Sequence, residues 1–373
     1  MPLFFLAYVA YVSIALPDNV GGITWPLVRL DLGQPIEALG VVVPFGVAGY
    51  VVSSSSTAFL LARTGVGWLL ALSAALSAGA LAVYALAQAF WVVLFAVFLG
   101  GLASGAIDAA LNAYAVRHFG ARRISWMHAC FCVGAAAGPV AATGLLADGR
   151  SWRWVYAGLA ALQALLAVTF AGSAKRWIPS STPAPAHRAK RPRSGPRTLW
   201  PSLAAFALQS GIEAGTGIWA YVHLTAGRGM PDGPAGLTVA GFWGAMFVGR
   251  IVVGHGTKQG GTRRSLLLGV SGMLLGAVLV AVPGPAWPAA AGVVVIGLAA
   301  APMFPLLTLT TSERVGEAAA ERVIGLQMAT SSAAGAVLPG AVAGALVGAF
   351  GVGVIGGFLV VLAGAMCLLY RRL

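Results

Sequence analysis

Acidic side chains are scarce in this sequence. Ten Asp and Glu stand against 23 Lys and Arg in 373 residues, and charged residues of both signs make up only 9%. A soluble domain carries roughly 25% charged residues, so this chain cannot clothe an ordinary aqueous surface. Cysteine is rarer still, at three residues. Cys130 and Cys132 lie two apart and point in different directions on a helix; with Cys367 they build neither a disulfide framework nor a metal site. No Walker loop, zinc signature or nucleophile elbow occurs, so no enzyme chemistry, metal or cofactor is expected. Gly351, Gly353 and Gly356 spell a literal G-x-G-x-x-G, but in an apolar stretch with no strand before it, which reads as helix packing.

What is present is apolar. Hydrophobic residues make up 59% of the chain, mean hydropathy is +0.87, and 51 glycines suit helices that pack closely in lipid. The sequence is that of a polytopic, all-α membrane protein whose solvent is the lipid bilayer. Spans of about 20 residues fall near 3–28, 36–62, 66–88, 90–116, 124–147, 152–172, 199–225, 234–256, 265–283, 286–311, 322–347 and 351–370, twelve in all. The first is not a cleavable signal: it has no basic n-region, and its apolar run continues past Pro17.

The basic residues orient these spans. With both termini cytoplasmic in the plasma (inner) membrane, 19 of the 23 Lys and Arg fall on the inner side, leaving Arg29, Arg150, Arg153 and Arg228 outside. The net charge of +13 is thus a topology signal rather than a nucleic-acid surface. The longest polar stretch, 173–198, is rich in Pro, Ser, Lys and Arg and holds no acid. It reads as a basic cytoplasmic linker between an N-terminal six-helix bundle, 1–172, and a C-terminal one, 199–373.

The two halves repeat. Trp25, Val28 and Leu30 match Trp219, Val222 and Leu224 at an offset of 194. After a loop six residues longer, Gly49, Pro139 and Gly144 match Gly249, Pro339 and Gly344 at an offset of 200. A duplicated six-helix unit joined by a basic loop resembles the major facilitator superfamily, and the run from Gly249 to Arg264 is similar to that superfamily's glycine- and arginine-rich loop. Its counterpart keeps Gly49 and Arg63 but lacks the acid usual there. Within the superfamily, GAIDAALNAY (Gly105 to Tyr114) resembles the fucose permease group of proton-coupled sugar symporters, in which a carboxylate and an Asn stand four apart, as Asp108 and Asn112 do here. AGLTVAGFWGAMFVGR (Ala235 to Arg250), MFPLLTL and AVLPG are similar to further pieces of that group, and His128 lies where the group carries Gln. The group's first-helix acid would fall at Gly22; here the nearest acid is Asp18, one turn earlier. The resemblance implies twelve helices in two pseudo-symmetric bundles, a solute site near the membrane midplane and alternating access by one chain.

Three carboxylates fall inside apolar spans: Asp18, Asp108 and Glu213. Each costs several kcal/mol in hydrocarbon unless it faces a polar cavity, so each is a candidate for proton coupling. Gly101, Gly105, Asp108 and Asn112 share one helix face, with Asp108 roughly 14 Å from the inner end. Gln209, Glu213 and Thr216 share another, and Glu213 stands opposite Asn19 at the repeat offset. Pro17, Gly21 and Gly22 around Asp18 predict a kink. Asn112, His128, Asn19, Gln209 and the tryptophans Trp25, Trp219 and Trp243 are the expected solute contacts, although tryptophan also anchors helices at interfaces. The expected function is proton-coupled symport of a small polar solute, a sugar or polyol by resemblance. The alternatives are a proton-coupled exporter of drugs or other organic compounds, and a sensor that binds solute without moving it.

Overall fold

Lipid offers a peptide group no hydrogen-bonding partner, so a chain of this hydropathy crosses it as helices that satisfy their own backbone. The computed structural model describes residues 2–177, 196–256, 261–311 and 317–370, and no strand occurs among them. Helix α1 (Leu3–Asp18) and α2 (Gly21–Asp31) make one broken pass, interrupted at Asn19 and Val20. The expected kink at Pro17 is therefore a full break that leaves Asp18 as the last residue of α1. Helix α3 (Leu39–Ala85) runs for 47 residues, about 70 Å at 1.5 Å per residue, more than twice the hydrocarbon thickness. It turns back at Gly65, whose φ of 73° and ψ of 165° suit only glycine, and so makes two passes.

The next three passes are α4 (Phe90–His118), α5 (Ala121–Ala147) and α6 (Trp152–Ser173). Then come α7 (Pro196–Val222), extended by a π-turn at His223–Gly227, α8 (Asp232–Gly256) and α9 (Thr262–Ala281). Helices α10 (Ala286–Ala300) and α11 (Met303–Leu309) share a pass broken ahead of Pro302, and α12 (Glu317–Ala336) joins α13 (Ala343–Phe350) through a π-turn at Val337–Val342. Helix α14 (Val354–Tyr370) ends the described chain. This makes twelve passes among the described residues. Eight stretches there are long and apolar enough to cross a membrane, and α14 is a shorter apolar helix. The protein is integral to the membrane.

Contacts divide the chain into two units, Met1–Ala184 and Pro185–Leu373. The expected linker starts later than its composition suggests. Ala174–Arg176 form a 3-10 turn, and Trp177, 3% exposed, packs edge-on against Tyr114 at 4.9 Å. An indole gains more from burial than a loop residue gains from water, so 173–177 belong to the first unit. Residues 178–195 of that linker lie outside the described residues.

Within each unit, one seam sets the spacing of the helices. A Cβ at Gly49 would lie 2.1 Å from the Phe98 carbonyl oxygen, and one at Gly101 would lie 2.0 Å from that of Gly46. The first arm of α3 and helix α4 thus touch backbone to backbone, as small residues permit in membranes. In the second unit the same contact recurs between α8 and α10. A Cβ at Gly249 would lie 3.1 Å from the Leu298 carbonyl, and one at Gly297 would lie 2.2 Å from that of Phe242. Gly49 and Phe98 become Gly249 and Leu298 at the offset of 200, so the repeat read along the chain is also a repeat of packing.

Arginine ties the helix ends in both units. Arg153 donates to the carbonyls of Ala85 and Ala87 at the end of α3, at 3.3 and 3.1 Å. Arg228 donates to those of Val280 and Gly284 at the end of α9, at 2.9 and 3.5 Å. The last carbonyls of a helix have no partner within it, and a guanidinium supplies one.

The seam makes a direct prediction. Gly101→Val places carbon on a carbonyl oxygen and lowers the melting temperature of purified protein, in line with the about 1–3 kcal/mol that overpacking costs. Gly79, where an added Cβ meets nothing within 4 Å, tolerates the same change. Equal melting temperatures for the two variants would dismiss the seam as a stability determinant.

Candidate functional site

Asp108 lies on α4 one turn beyond the glycine seam. A Cβ at Gly105 would be 2.5 Å from the Tyr50 carbonyl oxygen, so only glycine there lets Tyr50 lie flush against α4. The Tyr50 hydroxyl consequently reaches Asp108 Oδ2 at 2.5 Å. A second phenol arrives from α1. Helix α1 rests on α5 through Gly134 and Gly138, whose added Cβ atoms would lie 2.1 and 2.4 Å from the carbonyls of Val12 and Leu16. From that position Tyr11 donates to Asp108 Oδ1 at 2.6 Å. Asn112 donates to the same oxygen from the next turn of α4, at 3.0 Å.

One carboxylate, half-buried, thus accepts hydrogen bonds from three residues on three helices. Hydrogen bonds of this kind, to a charged acceptor, are the stronger class. The Tyr11 ring also meets the His128 ring of α5 edge-on, with centroids 5.2 Å apart and planes at 84°. His128 itself is exposed. Asp108, Asn112 and His128, singled out along the chain, therefore come together around Tyr11 and Tyr50.

The second unit holds its carboxylate differently. Glu213 Oε2 accepts from Gln209 Nε2 at 2.9 Å, the i, i+4 contact expected of α7. Glu213 Oε1 faces Arg250 Nη2 of α8 at 3.8 Å, and each of these two side chains is 22% exposed. Arg250, counted along the sequence with the inner helix-end charges, faces a carboxylate of α7. A half-buried charge gains from a counterion what it has lost in hydration. The Ser210 hydroxyl, one residue beyond Gln209, is hydrogen-bonded to Ser331 of α12.

The remaining expected contacts lie elsewhere. Asn19 turns back to the Ala15 carbonyl at 3.2 Å and caps the end of α1. Asp18, beside it, is exposed at the helix break but lies within electrostatic reach of Asp108 and Tyr50. Trp25, 1% exposed, donates to the Ile36 carbonyl at 2.8 Å, and Trp219, 0% exposed, donates to the Pro339 carbonyl at 2.7 Å. Both indoles are buried packing groups with satisfied N–H bonds, so the repeat-related tryptophans hold backbone rather than offer an open ring face. Trp243 is buried too, its ring edge-on to Phe242 at 5.0 Å.

Tyr11, Tyr50 and Arg250 escaped the reading of the sequence. A tyrosine in an apolar span carries no signal by itself. The offset of 200 relates Tyr50 to Arg250, the signal along the chain that links these two positions.

A sequence model of the Major Facilitator Superfamily matches residues 3–339. No curated protein sequence matches the chain. Among solved structures, a variant of the nucleoside transporter NupG superposes with a TM-score of 0.78 at 13% identity, covering 99% of this chain and 100% of that one. A variant of the peptide transporter POT in complex with sulfate gives 0.75 at 14% identity, with 99% and 92% covered. The human organic anion transporter MFSD10 gives 0.67 at 16% identity, with both chains covered in full at 100%. At such identities the likeness is one of fold.

The buried indoles carry a prediction. Trp219→Phe leaves the Pro339 carbonyl without its donor and lowers the melting temperature, with a cost of about 1–3 kcal/mol, while the KM of any transported solute stays unchanged. A changed KM at an unchanged melting temperature would put the ring in the solute's path instead.

Proposed function

This chain belongs to the major facilitator superfamily, and on that premise we propose that it is a proton-coupled secondary transporter of a small polar solute, with Asp108 as the group that takes up and releases the proton. The observation that carries this reading is the carboxylate of Asp108, held inside a membrane span by Tyr11, Tyr50 and Asn112. An ionised carboxylate only accepts hydrogen bonds, so it can satisfy all three donors at once. A protonated acid keeps acceptor capacity but also carries a proton to donate. A phenol can take that proton only by turning its own O–H elsewhere, and the amide N–H cannot take it, so protonation reverses or breaks one of these bonds, which come from α1, α3 and α4. A proton on Asp108 thus changes how these helices are tied together, and coupling requires an element of that kind.

In this reading His128, edge-on to Tyr11, stands between Asp108 and the solute or solvent, and Asn112 shares its amide between Asp108 and the solute. Asp18 adds a second negative group at the break of the first pass. Glu213 and Gln209 serve the second unit. The resemblance of Gly105 to Tyr114 to the fucose permease group supports a sugar-like, hydroxyl-rich solute moving inward with the proton. The asymmetry of Lys and Arg supports cytoplasmic termini and residence in the plasma membrane. A single chain carries both repeats, which supports function as a monomer, alternating access between the two sides of the membrane.

The test is proton movement in proteoliposomes loaded with a pH-sensitive dye, challenged with sugars, polyols, sugar acids and organic cations. Proton influx should accompany one solute and vanish in Asp108→Asn, which still exchanges that solute down its gradient. Full proton-driven accumulation by Asp108→Asn would remove this residue from the coupling, and proton release on adding a cation would point to export. Tyr50→Phe removes one of three donors and should slow proton-driven uptake about tenfold, the scale of one lost hydrogen bond to a charged group, with solute exchange affected far less.

A further inference from the structure

Arg250 and Tyr50 occupy equivalent places in the two repeats. Gly49 and Gly249, the residues before them, meet the carbonyls of Phe98 and Leu298 in matching contacts. Each of the two side chains approaches an intramembrane carboxylate of its own unit, Tyr50 at 2.5 Å from Asp108 and Arg250 at 3.8 Å from Glu213. The scaffold is the same and the chemistry is not. The first unit presents neutral hydroxyls to its carboxylate, whereas the second presents a guanidinium.

The surroundings of Glu213 hold a buried acceptor that needs a reason. Gln209 is fully buried and its Nε2 donates to Glu213, yet its Oε1 has no hydrogen-bond partner among the described residues. A buried acceptor without a donor is costly and calls for a reason. A protonated Glu213 supplies one, because its O–H can donate to an amide oxygen that an ionised Glu213 cannot use. The two ends of the Gln209 amide thus serve the two protonation states of its neighbour. Charge on other elements does not confuse this. Of the helices packed on α7 within the second unit, α10, α11 and α14 carry no Asp, Glu, Lys, Arg or His. Helix α8 contributes Arg250, together with Asp232 and His255 at its two ends, Asp232 being held by Tyr221. His223 lies in the π-turn beyond the end of α7, and the charged residues of α12 lie in its first two turns.

From this geometry we propose that Arg250 is the binding point for a carboxylate on the transported solute, which replaces Glu213 there. When the solute's carboxylate takes the guanidinium, Glu213 binds a proton and turns its O–H to Gln209 Oε1. One negative charge and one proton enter together, and the net charge of the site does not change. The solute class is then a polar molecule bearing one carboxylate; combined with the sugar-like solute proposed above, on which this inference rests, a sugar acid fits both. The contact between Arg250 and Glu213 is suited to exchange. Its Nη2–Oε1 approach is 3.8 Å, with both side chains partly exposed, longer than the about 2.7–2.9 Å of a tight charge-assisted bond.

Binding to purified protein tests this apart from transport. The probes are gluconate, galacturonate and lactate, with galactose and galactitol as uncharged controls, read by thermal shift and titration. At least one carboxylate should bind the wild type. Glu213→Gln removes the internal competitor and should bind it about tenfold more tightly, the scale of one charge-assisted contact. Arg250→Gln should lose carboxylate binding. Should that variant fail to fold because Glu213 is left unpaired, the double variant Glu213→Gln with Arg250→Gln removes both charges and should fold without binding. Asp108→Asn should still bind the carboxylate while losing proton-driven uptake, so failure of the proton reading shows separately.

Weaker binding in Glu213→Gln overturns the competition and makes the pair structural. Carboxylate binding by the double variant, binding of the uncharged probes alone, or binding of no probe to any form overturns the site.

Discussion

A carboxylate can persist inside the hydrocarbon layer only where donors are brought to it, and that requirement organises both halves of this protein. The donors come from neighbouring helices, and they reach the acid because those helices approach more closely than ordinary side chains allow. Gly105 brings Tyr50 to Asp108, and Gly134 and Gly138 bring α1, with Tyr11, against α5. In lipid there is no hydrophobic drive to force helices together, so small residues and interhelical hydrogen bonds carry that load. The glycines are thus as much a part of the candidate site as the acids.

The repeat shows how one scaffold supports two chemistries. The seam between the first arm of α3 and α4 recurs between α8 and α10 at an offset of 200 residues, and the ends of α3 and α9 are each tied by an arginine. Backbone contacts of this kind constrain geometry but not the identity of the side chain beside them. Position 50 could hold a phenol while its counterpart, position 250, holds a guanidinium. The carboxylates diverged as well: one lies on the fourth pass of its unit and the other on the first. A duplicated fold need not have duplicated sites.

The tryptophans teach the opposite lesson. Trp25 and Trp219 matched across the repeat and suggested stacking on a solute, yet both are buried and hydrogen-bonded to backbone carbonyls. Repetition of a large residue reports equally well on packing, because each half must fill the same space. Gln209 and Arg250 carried less weight along the chain, but they converge on Glu213. Polar groups are costly to bury, so a polar residue in a span is the better guide to a site.

The class of the protein follows from sequence alone, since a charge fraction of 9% and a mean hydropathy of +0.87 leave lipid as the solvent and helices as the way across it. The repeat and the break near Pro17 were legible as well, because each depends on spacing along the chain. The partners of Asp108 and Glu213 were not. Tyr11 and Asp108 are 97 residues apart and Tyr50 and Asp108 are 58 apart, and helical periodicity tells which face a residue occupies without telling which neighbour stands opposite. Only tertiary packing decided that two phenols close on Asp108, that Arg250 turns to Glu213, and that Trp177 packs into the first unit against Tyr114. Those outcomes hang on approaches of a few ångströms between backbones, a distance that no pattern within a single helix encodes.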